Sequence, residues 1–209
     1  MNTIIIQSAV FPPIQQISWI MKAKTILVEQ HDTYAKQTFR NRMQIAGPNG
    51  LQNLSIPVTK PLGAESKTKD ILINYDSPWQ TQFLKSIKTA YQNSAFFEYY
   101  IDDIEALLMR KDEKLIDYNI TILKALLNIL EINPSVKVTD KYEKTYENDF
   151  RDILHPKPQY QRADNIFKPS QYHQVFEEKY GFLPNLSIID LIFNEGPLSY
   201  FVLINAYQR

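Results

Sequence analysis

The spacing of apolar residues divides the chain into a strand-rich first third and a helix-rich remainder. Two short β-branched runs, Thr3 to Ile6 and Thr25 to Val28, are typical of buried strands. Between them, isoleucines and a methionine recur at helical spacing over residues 13–22, after a pair of prolines. A strand, a short helix and a second strand predict a right-handed βαβ unit with parallel strands.

Alternating apolar and polar positions follow a strongly polar stretch. Residues 43–46 and 51–58 alternate as two strands do, and Asn49-Gly50 between them is a strong hairpin-turn signal. The apolar run at residues 70–74 predicts one more strand.

From Ser77 onward the period becomes helical. Helices are predicted at residues 78–92, 95–109, 113–132, 174–180, 188–194 and 198–206, with a strand at 136–138 and an irregular segment at 139–172. Ser77 is predicted as one N-cap, and Ser187 with Asp190 as a capping box. The pattern predicts an α/β protein: a small, mostly parallel sheet with a β-hairpin insertion and a helical C-terminal half. With no linker-like segment, residues 1–209 are expected to form one domain.

Composition narrows the functional classes. Lys plus Arg and Asp plus Glu number 23 each, and this neutral balance argues against nucleic acid or an anionic membrane as the main partner. The absence of cysteine excludes disulfides, thiolate zinc sites and a cysteine nucleophile. No run approaches the roughly 18 apolar residues of a membrane helix, and the N-terminus lacks a basic region. We therefore expect a cytoplasmic protein with no signal peptide and no membrane insertion.

Candidate chemistry gathers after the first two strands. Gln7 follows the first strand, while Glu29, His31 and Asp32 follow the second. In an open α/β sheet the carboxyl ends of parallel strands form the ligand-binding edge. His31 is therefore a candidate general base, oriented by Asp32 or Glu29. The alternative is a loop histidine bonded to the backbone.

Arg40, Asn41 and Arg42 form the second candidate group. The alternation of a strand predicts both guanidinium groups on one face and Asn41 on the other. Arginine binds phosphate and carboxylate groups through two parallel hydrogen bonds, so this face suits an anionic small molecule. A solvated strand with surface salt bridges explains the same residues equally well.

The C-terminal block contributes further polar residues. Asn185 is a candidate helix cap, and Asp190 is expected to be buried, either in catalysis or paired with Arg40 or Arg42. The three histidines are far apart in the sequence, so no metal site is predicted. The 24 tyrosines and phenylalanines are expected to be core or partner surface.

These blocks, in this order, resemble the WbqC-like protein family. The matching residues are Gln7, Phe11, Pro12, Tyr34, Lys36, Arg40 to Arg42, the stretch from Trp79 to Phe97, and the block from Pro184 to Pro197. Ser8 stands where the family pattern has a proline, and Gln30, His31 and Asp32 stand where it has an acidic pair.

The resemblance implies a connection with O-antigen and other surface-polysaccharide clusters. It suggests transfer of an aminoacyl (glycine-like) or acyl group onto a nucleotide-linked amino sugar. In this hypothesis Arg40 and Arg42 hold the diphosphate, His31 deprotonates the sugar amine and Asp32 orients His31. The expected substrate-binding residues are Gln7, Tyr34, Arg40, Asn41, Arg42, Asn185 and Asp190. The rival hypothesis is a non-catalytic binding or assembly protein; the sequence names no cofactor and no oligomeric state.

Overall fold

The computed structural model describes residues 1–207. Within that range the strands are β1 (Thr3–Gln7), β2 (Thr25–Glu29), β3 (Arg42–Gly47), β4 (Gly50–Ser55), β5 (Val58–Thr59), β6 (Leu72–Ile73) and β7 (Ser135–Val138). The α-helices are α1 (Ile14–Ile20), α2 (Trp79–Tyr91), α3 (Phe97–Leu108), α4 (Leu115–Ile129), α5 (Glu177–Tyr180), α6 (Ile188–Glu195) and α7 (Ser199–Ala206). Short 3-10 turns lie at Gly63–Glu65, Thr68–Asp70, Pro158–Tyr160 and Gly196–Leu198.

A parallel sheet with strand order β1-β2-β7 confirms the predicted βαβ unit. β1 pairs with β2 so that Gln7 lies opposite Glu29, and α1 connects the two strands. β7 pairs with the other side of β2, with Val28 opposite Val138. The side chains of Ile4, Ile5 and Ile6 are all buried, because β1 is covered on both faces, as strands of parallel sheets generally are.

The antiparallel pair β3 and β4 confirms the predicted hairpin. Its register runs from Arg42 opposite Ser55 to Gly47 opposite Gly50. β4 ends at Ser55, earlier than predicted, and β5 and β6 form a separate small ladder instead. With helices mostly in the C-terminal half, the molecule has the expected α/β fold.

The segment between residues 139 and 172 is irregular, as predicted, apart from one 3-10 turn. It covers the outer edge of β1: the Ile5 N–H donates to the Asn148 carbonyl at 3.0 Å, and the Phe150 N–H donates to the Ile5 carbonyl at 2.9 Å. The ring of Phe150 packs on Trp19 with centroids 4.6 Å apart. The segment therefore closes an edge that would otherwise be free to pair. After it, only Glu177–Tyr180 of the predicted helix 174–180 is helical.

Two predicted side-chain caps do not form, although Ser187 does occupy the N-cap position of α6. α2 begins at Trp79, and its N-cap position is Pro78, where ψ is still 48° and no side chain caps the helix. α6 begins after Ser187, but the Ser187 hydroxyl donates to the Phe11 carbonyl at 2.8 Å instead of capping its own helix. Asp190, the predicted capping-box acid, is turned into the core. In α6, Ser187 and Asp190 therefore bond to residues distant in the sequence and do not cap the helix.

Asn185 caps a helix, but the helix is α1 and not its own. Its Oδ1 accepts the Gln15 N–H at 2.9 Å, and its Nδ2 donates to Gln15 Oε1 at 2.8 Å. Asn185 has a φ of 58°, a left-handed conformation that asparagine tolerates better than most residues. The Ile14 N–H also donates to the Leu186 carbonyl. The N-terminal and C-terminal motif blocks therefore meet in space.

Candidate functional site

The carboxyl ends of the three parallel strands bring polar residues to one edge. The strand register places Gln7 opposite Glu29, and the Thr139 N–H donates to the Val28 carbonyl, which extends the β2–β7 ladder to Thr139. The predicted edge therefore exists, and the residues that follow each strand lie along it.

Glu29 is a fully buried carboxylate with a buried partner. Its Oε2 accepts a hydrogen bond from Arg151 Nη1 at 3.0 Å, and its Oε1 accepts from the Thr139 hydroxyl at 3.0 Å. Arg151 also donates hydrogen bonds to the Asp149 carboxylate, and these bonds raise the pKa of Arg151. Two ionised groups with mutual hydrogen bonds can share a buried position at tolerable cost. The pair fixes the irregular segment to the end of β2.

His31 is half-buried next to this pair. Its Nε2 lies 3.0 Å from the Thr139 carbonyl oxygen, and its backbone N–H donates to Glu29 Oε1 at 2.8 Å. Because a carbonyl oxygen can only accept, Nε2 carries the hydrogen and Nδ1 carries the lone pair in the neutral ring. The backbone of Thr139 thus orients the imidazole and sets its tautomer.

Asp32 is engaged elsewhere. Its Oδ2 pairs with Arg40 Nη2, and its Oδ1 accepts the Thr68 hydroxyl at 2.5 Å. The orienting contact to His31 therefore comes from Thr139 in this structure, whereas Asp32 fixes Arg40. Arg40 is only 2% exposed, so this ion pair is largely shielded from solvent.

Arg40 and Arg42 do not share a strand face, which corrects the prediction. Arg40 lies in a turn before β3, where the Asn41 N–H donates to the Thr38 carbonyl, and β3 begins only at Arg42. The Asn41 side chain donates to the Ile56 carbonyl at 2.9 Å. Arg42 is half-buried and its Nε donates to the Ser55 hydroxyl at 3.0 Å.

A second histidine, His155, is brought to β3 because Gln44 Nε2 donates to the carbonyl of the adjacent Pro156 at 3.3 Å. Burial lowers the pKa of His155, and the positive charges of Lys157, Arg42 and Arg40 lower it further. The Lys157 N–H donates to His155 Nδ1 at 3.0 Å. We call Arg40, Arg42, His155 and Lys157 the basic cluster. Such a group of cations favours a bound anion, particularly one with several acceptor oxygens.

A narrow crevice runs along the same edge. Gln7, Arg151 and Leu154 are among the residues that line it, and its volume of about 10 Å³ holds about one water molecule. A larger ligand can enter this crevice only if the segment that carries Arg151 and Leu154 moves outward.

Of the other predicted site residues, Tyr34 is close enough to Arg40 for that charge to oppose the rise in its pKa, whereas Asn185 and Asp190 bond elsewhere. Tyr34 is buried, its hydroxyl has no hydrogen-bond partner within the described residues, and burial raises its pKa to about 12. Asn185 serves α1, as described above. The predicted pairing of Asp190 with an arginine is wrong, because its Oδ2 accepts the Tyr172 hydroxyl at 2.5 Å and Gln174 Nε2 at 3.2 Å.

Residues 1–207 contain neither a metal-ligand set nor a membrane-spanning helix. No three His, Asp or Glu side chains in that range come together as a metal-ligand set. Over the same residues, no helix has the length and apolar character needed to cross a bilayer.

A model of the WbqC-like protein family matches residues 7–163, most of the 209-residue chain. The chain belongs to the WbqC-like protein family. The part that matches the WbqC-like model contains Gln7, Glu29, His31, Arg151 and the whole basic cluster. It ends before the C-terminal block at residues 184–197, so the resemblance of that block to WbqC-like proteins stays a prediction. Comparison with curated proteins and with solved structures gave no significant match.

Sequence reasoning missed four members of this WbqC-like site: Thr139, Arg151, His155 and Lys157. One feature of the sequence indicates a partner such as Arg151. Glu29 ends an apolar strand, and a carboxylate buried there requires a cation. The sequence does not say which cation. Thr139 acts on His31 through its backbone carbonyl, which no side-chain pattern reveals.

Proposed function

We propose that this WbqC-like protein is a cytoplasmic glycan-modifying transferase. It moves an aminoacyl (glycine-like) or acyl group onto the amino sugar of a nucleotide-linked substrate. Family membership supports the coarser part, a role in the biosynthesis of surface polysaccharide such as O-antigen. The observation that carries the reaction is His31 at the carboxyl edge of the sheet, with Nε2 bonded to Thr139. The next residue, Asp32, pairs with Arg40 of the basic cluster.

In the proposed step, the sugar nitrogen attacks the carbonyl carbon of an activated donor. The new bond joins this carbon to the sugar nitrogen, and the bond from the carbon to the leaving group breaks, with the electron pair going to the leaving group. His31 Nδ1 takes the proton that the nitrogen loses. The neutral ring has a lone pair on Nδ1 that can take this proton, and a positioned base typically contributes about 10²–10⁴-fold in rate.

The nucleotide diphosphate is assigned to the basic cluster. Arg42 and Lys157 are half-buried and can contact phosphate oxygens directly. Arg40 is buried and held by Asp32, so it contributes positive potential from beneath and acts as a positioning residue.

The second candidate is a binding or assembly protein without catalysis. Two largely buried ion pairs favour it, Arg40 with Asp32 and Arg151 with Glu29. In each pair the charged groups already satisfy one another. In that case these charged residues stabilise the fold, and His31 only fastens β2 to the segment after β7.

A thermal-shift panel tests the proposal. The full chain is mixed with uridine diphosphate, a uridine-diphosphate-linked amino sugar, coenzyme A and glycine. A ligand at 100 times its dissociation constant should stabilise the fold by about 2.7 kcal/mol. We expect the two diphosphates to raise the melting temperature, and Arg42→Ala and Lys157→Ala each to reduce that shift.

Lys24→Ala is the matched control, because Lys24 is exposed and precedes β2 at the opposite end of the sheet. It should leave the shift unchanged. A diphosphate shift that survives both Arg42→Ala and Lys157→Ala would remove the basic cluster from the proposal. A panel without any shift would favour the binding-protein candidate.

A further inference from the structure

A second cavity lies away from the carboxyl edge. It is a surface groove of about 750 Å³ between the start of α3, the end of α4 and the turn that leads into α7. The residues that matter for its chemistry are Phe96, Tyr99, Tyr100, Glu131, Pro197 and Tyr200. A volume of this size is typical of small-molecule sites, which combine apolar walls with a few polar groups.

This groove is separate from the His31 site. Glu131 lies at the end of α4, only four positions before Ser135, where β7 begins. The groove is therefore near the amino end of the sheet, whereas His31 lies at the carboxyl end. A ligand in the groove would not reach the proposed transfer site.

The walls of the groove present aromatic rings to solvent. Tyr99 is 77% exposed and Tyr200 is 44% exposed. Tyr99 packs edge-on against Tyr100 with centroids 4.8 Å apart. The face of an aromatic ring carries negative electrostatic potential and attracts cations within about 6 Å of its centroid.

Glu131 brings a carboxylate to the groove in an unfavourable backbone conformation. Its φ is 56°, and the Ile132 N–H donates to the Leu127 carbonyl at 2.9 Å, the pattern that closes a helix with a left-handed residue. Glycine is usual at this position because a side chain there costs stability. Glu131 is exposed, so core packing does not explain its presence. Strained residues of this kind concentrate at functional sites.

The groove has a negative side chain and no positive one among the lining residues that the structure describes. Glu131 lines the groove together with Tyr100. Burial raises the pKa of Tyr100, and the charges of Tyr99, Glu131 and Asp103 raise it further. Within residues 1–207, no Lys, Arg or His side chain lines the groove. Aromatic faces beside a carboxylate, with no cationic side chain among the described lining residues to pair with it, favour a positively charged organic ligand.

We propose that this groove is a binding site for an organic cation, a ligand whose ammonium group is attached to an apolar ring or chain. The ammonium group lies against the tyrosine faces and pairs with Glu131, while the apolar body packs on Phe96 and Pro197. The site is independent of the proposed transferase activity.

The test uses small probes that share one apolar body and differ in charge. Cyclohexylamine is protonated at neutral pH, cyclohexanol is neutral and cyclohexanecarboxylate is an anion. Binding to the full chain is measured by saturation-transfer NMR titration, with methyl glucoside as a carbohydrate probe. We expect the ammonium probe to bind about tenfold more tightly than the alcohol, as a cation–π contact reinforced by a carboxylate provides.

Glu131→Gly is the decisive variant because it removes the carboxylate and relieves the left-handed backbone, so the protein stays folded. It should lose most of the preference for the ammonium probe. Asp117→Asn is the matched control, since it removes an exposed carboxylate from the first turn of the same helix. It should keep the preference.

Three results with the cyclohexyl probes would overturn the proposal. They are equal binding of the alcohol and the ammonium probe, an ammonium preference that survives Glu131→Gly, and the absence of binding by all the cyclohexyl probes. Tighter binding of methyl glucoside than of the ammonium probe would also overturn it and would assign the groove to carbohydrate. None of these results depends on His31, so they leave the proposed transferase function untouched.

Discussion

Asp190 places an ionisable carboxyl at a fully buried position in α6, and this burial raises its pKa to about 6. The Tyr172 hydroxyl and Gln174 Nε2 donate to Oδ2, at 2.5 and 3.2 Å, and moderate the rise. The hydroxyl of Tyr91, from α2, faces the same carboxyl. Oδ1 accepts no hydrogen bond within the described residues. The fold therefore favours the neutral acid over the carboxylate.

The magnitude follows from the difference between the folded and unfolded pKa values. Unfolded Asp190 has its ordinary value of 3.8, and the folded value is about 6. A folded pKa above the unfolded one means that protonation stabilises the fold. This contribution is fully present below about pH 3.8 and is lost as the pH rises through about 6. A shift of about two units corresponds to about 3 kcal/mol.

Urea unfolding of the wild-type protein and Asp190→Asn, at intervals between about pH 4 and about pH 8, measures this contribution. Asparagine has the size of the neutral acid and does not ionise. Because all other groups titrate alike in both proteins, the difference between the two unfolding free energies isolates Asp190. We expect the unfolding free energy of the wild-type protein, relative to that of the variant, to fall by about 2.4 kcal/mol over this range, because unfolded Asp190 is already partly ionised at about pH 4.

The exposed Asp102 provides the control, since Asp102→Asn should give a difference that hardly changes with pH. Tyr172→Phe removes a hydrogen bond that lowers the pKa of Asp190, so the loss of stability should extend to higher pH. An Asp190 difference that is flat, or that increases with pH, would refute the reasoning from burial.

Three substitutions test other parts of the fold, each by urea unfolding. Gly196→Ala should cost about 2–4 kcal/mol, because φ there is 50° and a Cβ would lie 2.5 Å from the Phe96 ring; a cost below about 1 kcal/mol would contradict this. Arg151→Met leaves the Glu29 charge buried alone and should cost about 3–5 kcal/mol, and adding Glu29→Gln should recover much of it. Asn185→Ala should cost about 1 kcal/mol by removing the cap of α1, and unchanged stability would show that the cap is dispensable.

The local architecture could be predicted from the sequence because its signals are local. The β-branched runs at residues 3–6 and 25–28 with a short helix between them identify a parallel βαβ unit by periodicity alone. Asn49-Gly50 similarly identifies the β3–β4 hairpin, since only a few residues adopt its turn. β7 was predicted from three residues, but its place in the sheet was not, because strand order depends on contacts between distant segments.

The errors share one physical cause, which is competition from distant partners. Ser187 and Asp190 have the spacing of a capping box, but Phe11 and Tyr172 provide partners that the local pattern cannot include. Arg151 lies 122 positions from Glu29, so no periodicity connects them. For the same reason the sequence could place His31 and Asp32 at the carboxyl edge but could not assign Asp32 to Arg40.

The central claim is that His31 removes the proton from the amine of a nucleotide-linked sugar. The most direct test compares the wild-type protein with His31→Gln, which can still donate a hydrogen bond to the Thr139 carbonyl but has no basic nitrogen. Each is incubated with a uridine-diphosphate-linked amino sugar and either acetyl coenzyme A or a glycyl thioester, and the product is quantified by mass spectrometry. We predict transfer by the wild-type protein and a rate about 10²–10⁴-fold lower in His31→Gln at unchanged melting temperature. Equal transfer rates in the two proteins would contradict the account.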